Sequence, residues 1–181
     1  MPVDFSALAE QITQAAKAAF LEVLHRHRDE GIYAFALYSD GGAMTVCPAT
    51  NTQAHLAGQP ADEAAYYKFE PAEWKYEMVG AEEQFNAICY QLRTALDELP
   101  DDDEAAFEAF RGQLFATCVQ VLADLHRVQF FQQAAGHEVF LVISVSDDDP
   151  DPAETARMIR QLNDNAYRDE YLAWMRTWQT E

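Results

Sequence analysis

Positive charge is scarce in this chain: 12 lysines and arginines stand against 31 aspartates and glutamates, a formal net charge of −19. A surface this acidic repels the nucleic-acid backbone and anionic lipid, and it draws basic proteins from a distance. Glycine is also sparse, at 7 residues. There is no glycine-rich loop to cradle a phosphate and no Gly-x-Ser-x-Gly elbow to expose a nucleophilic serine. The 3 cysteines show no Cys-x-x-Cys spacing, which argues against a disulfide framework or a zinc knuckle. The histidines form neither His-x-x-x-His nor His-Glu-x-x-His. His25 and His27, two apart on a helical pattern, point to different sides and cannot share a metal. No metal and no cofactor are therefore expected. No apolar run approaches the ~20 residues that span a bilayer. The start, MPVDFSALAE, has neither the basic residues nor the apolar stretch of a secretory leader. The expectation is a cytoplasmic protein that binds neither nucleic acid nor membrane.

What the chain does have is core material. Hydrophobic residues make up 49% and aromatic residues 12% of 181, the composition of a folded domain rather than an acidic tail. Over 4–28, Phe5, Leu8, Ile12, Ala16, Ala19 and Val23 recur at helical steps, with Asp4 as a cap and Gly31 beyond the end. Ile32–Tyr38 reads as a strand, Ser39 to Gly42 as a tight turn, and Ala43–Cys47 as the returning strand, closed by Pro48. In the irregular stretch 49–80, Asn51 and Thr52 are placed to begin a short helix, Tyr66–Phe69 reads as extended, and Pro71 as a helix entrance. Helices are predicted over about 81–99 and 103–134, joined by a short antiparallel connection at Pro100. Val139–Val145 is apolar without alternation, which predicts a strand covered on both faces and central in its sheet. Two helices follow, about 153–163 and 166–178. This order is not the regular alternation of a doubly wound fold. It predicts a single α+β domain over 1–181, with a small, mostly antiparallel sheet (an N-terminal hairpin plus a central strand near 139–145) packed against several helices.

The residues that can carry chemistry divide into two groups. Cys47, His55 and the acidic run Asp147–Asp151 are the first suspects for an enzyme or ligand sensor with a pocket between sheet and helices. The run lacks the spacing and glycine of a calcium loop and precedes a helix, where carboxylates cap free amides; the same applies to Asp101–Glu104. Tyr167, Tyr171, Trp174 and Trp178 form one helical stripe and are expected in the core. The other group is the aromatic, acidic segment. Residues 62–104 contain thirteen acidic and three basic residues, with Tyr66, Tyr67, Phe69, Trp74 and Tyr76 dense within it. Aromatic anchors in a negative field suit the capture of a basic protein. Alternatively, the rings pin a loop to the core.

Three stretches, HRHRDEGIYAFALYSDGGAMTVCPATNT, YYKFEPAEWKYE and VFLVISVSDDD, together resemble a bacterial domain-of-unknown-function family, the one numbered four thousand three hundred and three. The likeness keeps their order over most of the chain and carries no catalytic residues. Families of this kind resemble small proteins encoded beside polymorphic toxins, so the resemblance implies an immunity protein. The leading expectation is thus a protein-binding module that neutralises a basic toxin partner. Its contacts would be Tyr67, Glu70, Glu73, Trp74, Tyr76 and Glu77, with no catalytic residue.

Overall fold

The computed structural model describes residues 3–100, 103–146 and 151–180. Helix α1 (Phe5–His27) starts where Asp4 accepts from the Ser6 and Ala7 amides and buries Leu8, Ile12, Ala16, Phe20 and Val23. Its apolar spacing dictates one inward face, and three basic residues at its end suit the negative pole of the helix. Gly31, in the left-handed region, turns the chain into strand β1 (Ile32–Asp40). Strand β2 (Cys47–Thr52) runs back beside β1, and the two-residue β3 (Tyr76–Glu77) adds to β2. Strand β4 (Phe140–Ser146) pairs parallel to the other side of β1. The order is β3-β2-β1-β4, two antiparallel pairings and one parallel. The fold is α+β with a mixed four-stranded sheet.

Three expectations about the sheet need correction. The returning strand begins at Cys47 rather than Ala43, because the Asp40 carboxylate captures the Met44 amide (3.2 Å) and the Thr45 hydroxyl (2.5 Å) and holds a longer loop. Pro48 lies inside β2. Its carbonyl accepts from Met78 on the β3 side, so its missing N–H faces that same side, just past the last paired residue of β3, and the pairing with β1 is untouched. Strand β4 is covered on both faces, as its composition requires, yet it stands at the sheet edge. Coverage of the faces reports on the layers above and below and says nothing about position within the sheet.

Two helical layers provide that coverage. On one face, Phe35, Leu37, Leu141 and Ile143 pack with α1, α4 (Glu82–Asp97), α5 (Glu104–Arg127) and Phe131 of α6 (Phe130–Ala135). On the other, Tyr33, Ala34, Ala36, Phe140 and Val142 meet Phe69, Trp74 and Tyr171. A register shift between Ile32 and Ala34 lets Tyr33 and Ala34 both reach this second core. The helix predicted through residue 134 breaks at Gln129, which adopts a positive φ of 55°. The break turns Phe131 onto Phe20 and Phe35, with ring centroids 4.9 and 5.1 Å away.

Thr52 caps the short helix α2 (Gln53–Leu56) through the His55 amide. Tyr66–Phe69, expected to be extended, lies in helix α3 (Ala64–Phe69). Its orphan last-turn carbonyls have buried donors: Tyr33 Oη bonds Lys68 O at 2.9 Å and Asn51 Nδ2 bonds Tyr67 O at 3.1 Å. Helix α7 (Pro152–Leu162) follows the outer edge of β4 and contributes Ile159 to one core and Leu162 to the other. Helix α8 (Ala166–Met175) lays Tyr171 and Trp174 on Phe69, but of the four-residue stripe expected in the core only Tyr171 is fully buried, and Trp178, beyond the helix, is 39% exposed.

Candidate functional site

The aromatic, acidic segment is built around a single turn of 3-10 helix, Pro71–Glu73. Glu70 caps that turn by accepting from the Ala72 amide at 3.5 Å. Burial pushes the Glu70 carboxyl above the usual carboxylate range, the amide bond opposing the shift and the Glu73 charge adding to it. Glu73 accepts from the Tyr66 hydroxyl at 3.2 Å, and its own carbonyl lies 3.2 Å from His55 Nε2. Tyr67 is half-buried, its ring against that of Tyr66. Glu70, Glu73, Tyr66 and Tyr67 therefore form one group.

The next two rings point inward. Trp74 is 3% exposed, its indole nitrogen buried without a hydrogen-bond partner. Tyr76 is 8% exposed, stacked on His27 at 4.4 Å and donating to Glu30 at 2.8 Å. Glu30 also receives Lys75 at 2.7 Å, and these bonds hold its carboxyl below the ordinary range. These two rings pin the segment to the body of the protein. Glu77, next along β3 and on the opposite face by strand alternation, is exposed and accepts from Tyr38 Oη at 2.7 Å.

Beyond β3 the chain passes through three positive-φ residues: Met78, Gly80 and Ala81. Only a glycine fits at Gly80, where a Cβ would sit 2.8 Å from the Ala19 backbone. The Ala81 amide then donates to Glu22 of α1 at 2.9 Å, which sets the start of α4. Helix α4 buries Phe85, Ile88 and Leu92 in the core with α1, turns Cys89 toward Val46, and leaves Tyr90 74% exposed. Met78 is 60% exposed. Among the described residues, Glu77, Glu82 and Glu83 have no cation within ion-pair distance. The lysines of the segment are engaged elsewhere, Lys68 with Glu170 and Lys75 with Glu30. Tyr90 was legible in the sequence, because it falls off the stripe formed by Phe85, Ile88 and Leu92.

The suspects for catalysis do not meet. Cys47 opens β2 and His55 follows its far end, so the sheet holds them apart. Cys47 instead lies against Cys89, a contact that no sequence signal announces. Of the acidic run, Asp147 to Pro150 lie outside the described residues. Asp151 caps α7 through the Ala153 and Glu154 amides at 2.7 and 3.1 Å, and Asp103 caps α5 in the same way. No group of three or more His, Cys, Asp or Glu side chains suited to a metal occurs among the described residues. No helix among them is long and apolar enough to cross a membrane.

A cleft of about 1060 Å³ opens where β4, α5 and α7 diverge, with Glu70, Phe115, Met158, Tyr171 and Trp178 among its walls. Asn163, just after α7, bonds the outer edge of β4. That side chain accepts from the Leu141 amide at 2.9 Å and donates to the Leu141 carbonyl at 2.7 Å, as a neighbouring strand would. Glu70 thus faces both the acidic turn and this cleft.

No curated protein and no solved structure matches the chain. The family described as Domain of unknown function (DUF4303) matches residues 12–164, most of both helical layers and the whole sheet, and the chain belongs to that family.

Proposed function

We propose that this is a cytoplasmic binding protein for a basic partner, of the immunity type that neutralises a toxin. The observation that carries the reading is the stretch from Glu77 to Tyr90. Two large side chains, Met78 and Tyr90, stand 60% and 74% exposed beside carboxylates that have no cation of their own. Large rings and thioethers at an interface supply most of its binding energy, and unpaired charge around them steers and orients the partner. Tyr76, buried in the core with α1 and α4, anchors the strand from which this surface starts. Glu73, Glu77, Glu82 and Glu83 would meet lysines and arginines of the partner, in the position a nucleic-acid backbone takes on a basic nuclease. Glu70 offers a desolvated carboxylate to a cationic side chain entering the cleft.

The test begins with tagged protein exposed to a bacterial lysate at low salt, followed by identification and purification of any bound basic protein. Its affinity is then measured against two variants. Glu82→Lys with Glu83→Lys, and Tyr90→Ala, should each weaken binding at least roughly ten-fold, with thermal melts unchanged. Affinity that is indifferent to both variants discards this surface. Affinity that does not fall as salt rises discards the electrostatic reading itself.

A further inference from the structure

Cys47 and Cys89 are far apart in sequence and adjacent in the fold. The Cys89 thiol donates to the Val46 carbonyl at 3.5 Å, one peptide unit from Cys47, and the two thiols lie close enough that each shifts the other's proton affinity. Their residues are 6% and 7% exposed, so the pair lies just beneath the surface. Arg93 stands one turn further along α4, and Tyr38, Asp40 and Glu77 surround the strand side. The neighbouring Cys47 thiol draws the Cys89 thiol below its ordinary range against the opposing effect of burial, and the Arg93 charge assists. The Cys47 thiol is pushed up by Cys89 and by burial. Cys118 is the contrast: it sits in the core beside α1, and burial pushes its thiol up to about 12.

We propose that Cys47 and Cys89 form a peroxide-oxidisable dithiol that closes to a reversible disulfide between β2 and α4. The Cys89 thiolate attacks one peroxide oxygen, the O–O bond breaks, and hydroxide departs to be protonated by solvent. This leaves a sulfenic acid on Cys89. The Cys47 sulfur then attacks the Cys89 sulfur, the S–O bond breaks, and the Cys47 proton leaves with the hydroxyl as water. Two thiols and one peroxide become one disulfide and two waters. In a reducing compartment a small thiol restores the pair, as expected of a transient, signalling disulfide. Helix α4 is held chiefly by α1, so the new bond ties it covalently to the sheet. This inference is independent of the partner-binding reading.

The test is treatment of the purified, reduced protein with hydrogen peroxide, then alkylation under denaturing conditions, intact mass measurement and peptide mapping. The wild type should become two hydrogens lighter, keep only Cys118 alkylatable, yield a Cys47–Cys89 cross-linked peptide, and revert with dithiothreitol. The melting temperature should rise by several degrees on oxidation. Cys47→Ser should stop at a sulfenic acid trapped by dimedone, Cys89→Ser should react roughly ten-fold more slowly, and Cys118→Ser should behave as wild type. Melts of the reduced variants establish that each is folded. Three alkylatable thiols remaining at a peroxide concentration that consumes free cysteine would overturn the proposal. So would a disulfide to Cys118 or to a second chain, or a Cys89→Ser variant that oxidises as fast as the wild type.

Discussion

Asn163 closes the outer edge of β4, and replacing it tests how much that closure stabilises the fold. The side chain is 1% exposed and bonds both backbone groups of Leu141, with a further donation to the Ile159 carbonyl at 3.2 Å. Asn163→Leu conserves volume but strands the Leu141 amide and carbonyl. The Ile159 carbonyl keeps its bond from the Asn163 amide. Each stranded buried group costs about 1–3 kcal/mol, and added apolar burial returns part of this. The expected loss is about 3 kcal/mol, or roughly 10 °C in melting temperature for a chain of this size. Asn163→Asp keeps the acceptor but turns a carboxylate oxygen toward the Leu141 carbonyl. Burial and that carbonyl must raise the folded-state pKa of the new acid well above its unfolded value of about 3.9. The folded state then holds a proton that the unfolded state releases. The variant's deficit relative to wild type is therefore smallest below about pH 4 and grows as pH rises, by up to about 1.4 kcal/mol per unit, until the folded pKa is passed. Urea unfolding followed by tryptophan fluorescence from pH 4 to 8 reads both effects. A loss under ~1 kcal/mol for Asn163→Leu, or a pH-independent deficit for Asn163→Asp, would refute the assignment of Asn163 as a surrogate strand.

Two further outcomes are expected. Gly80→Ala should destabilise by about 2 kcal/mol or more, because φ is +101° and the new methyl meets the Ala19 backbone at 2.8 Å; a urea-midpoint shift within error would show that α1 and α4 can move apart at no cost. The ultraviolet absorbance of thiolate should titrate with a midpoint below the ordinary thiol range for Cys89. Cys47→Ser, which leaves only a hydroxyl donor, should alter that midpoint, Cys118→Ser should not, and a reduced wild type with no thiolate signal below pH 8 contradicts the assignment.

The elements that were legible in the sequence are those with sustained periodicity. The apolar steps of α1 and the stripe of Phe85, Ile88 and Leu92 fix helices because one face must leave water. The same logic placed Tyr171 in the core but failed for Trp178, which the chain leaves exposed past the end of α8. What was not legible depends on tertiary partners. Tyr66 to Phe69 have strand-like composition, but buried donors from Tyr33 and Asn51 terminate a helix there. Gln129 breaks a helix with no glycine or proline to announce it, because Phe131 gains a place in the core. At the candidate site, composition revealed the negative field. It could not show that Trp74 and Tyr76 anchor from within; the exposure of Tyr90 followed from periodicity instead. Nor does any spacing connect Cys47 to Cys89, since a strand and a helix so far apart in sequence meet only in the finished fold.

The parallel pairing of β4 with β1 has a consequence for the chain as it leaves the ribosome. Strand β1 has its hairpin partner within twelve residues of its end, but its other edge, Ala34 to Asp40, waits for residues 140–146. Until then a nearly continuous apolar strand presents an unpaired edge, and the second core lacks Phe140, Val142, Ile159 and Tyr171. Such an edge is a template for association between nascent chains. The long acidic stretch synthesised in the interval, with a net charge of −10 over residues 62–104, keeps neighbouring chains apart by repulsion during that wait. The same carboxylates that define the candidate surface of the finished protein thus protect its unfinished form.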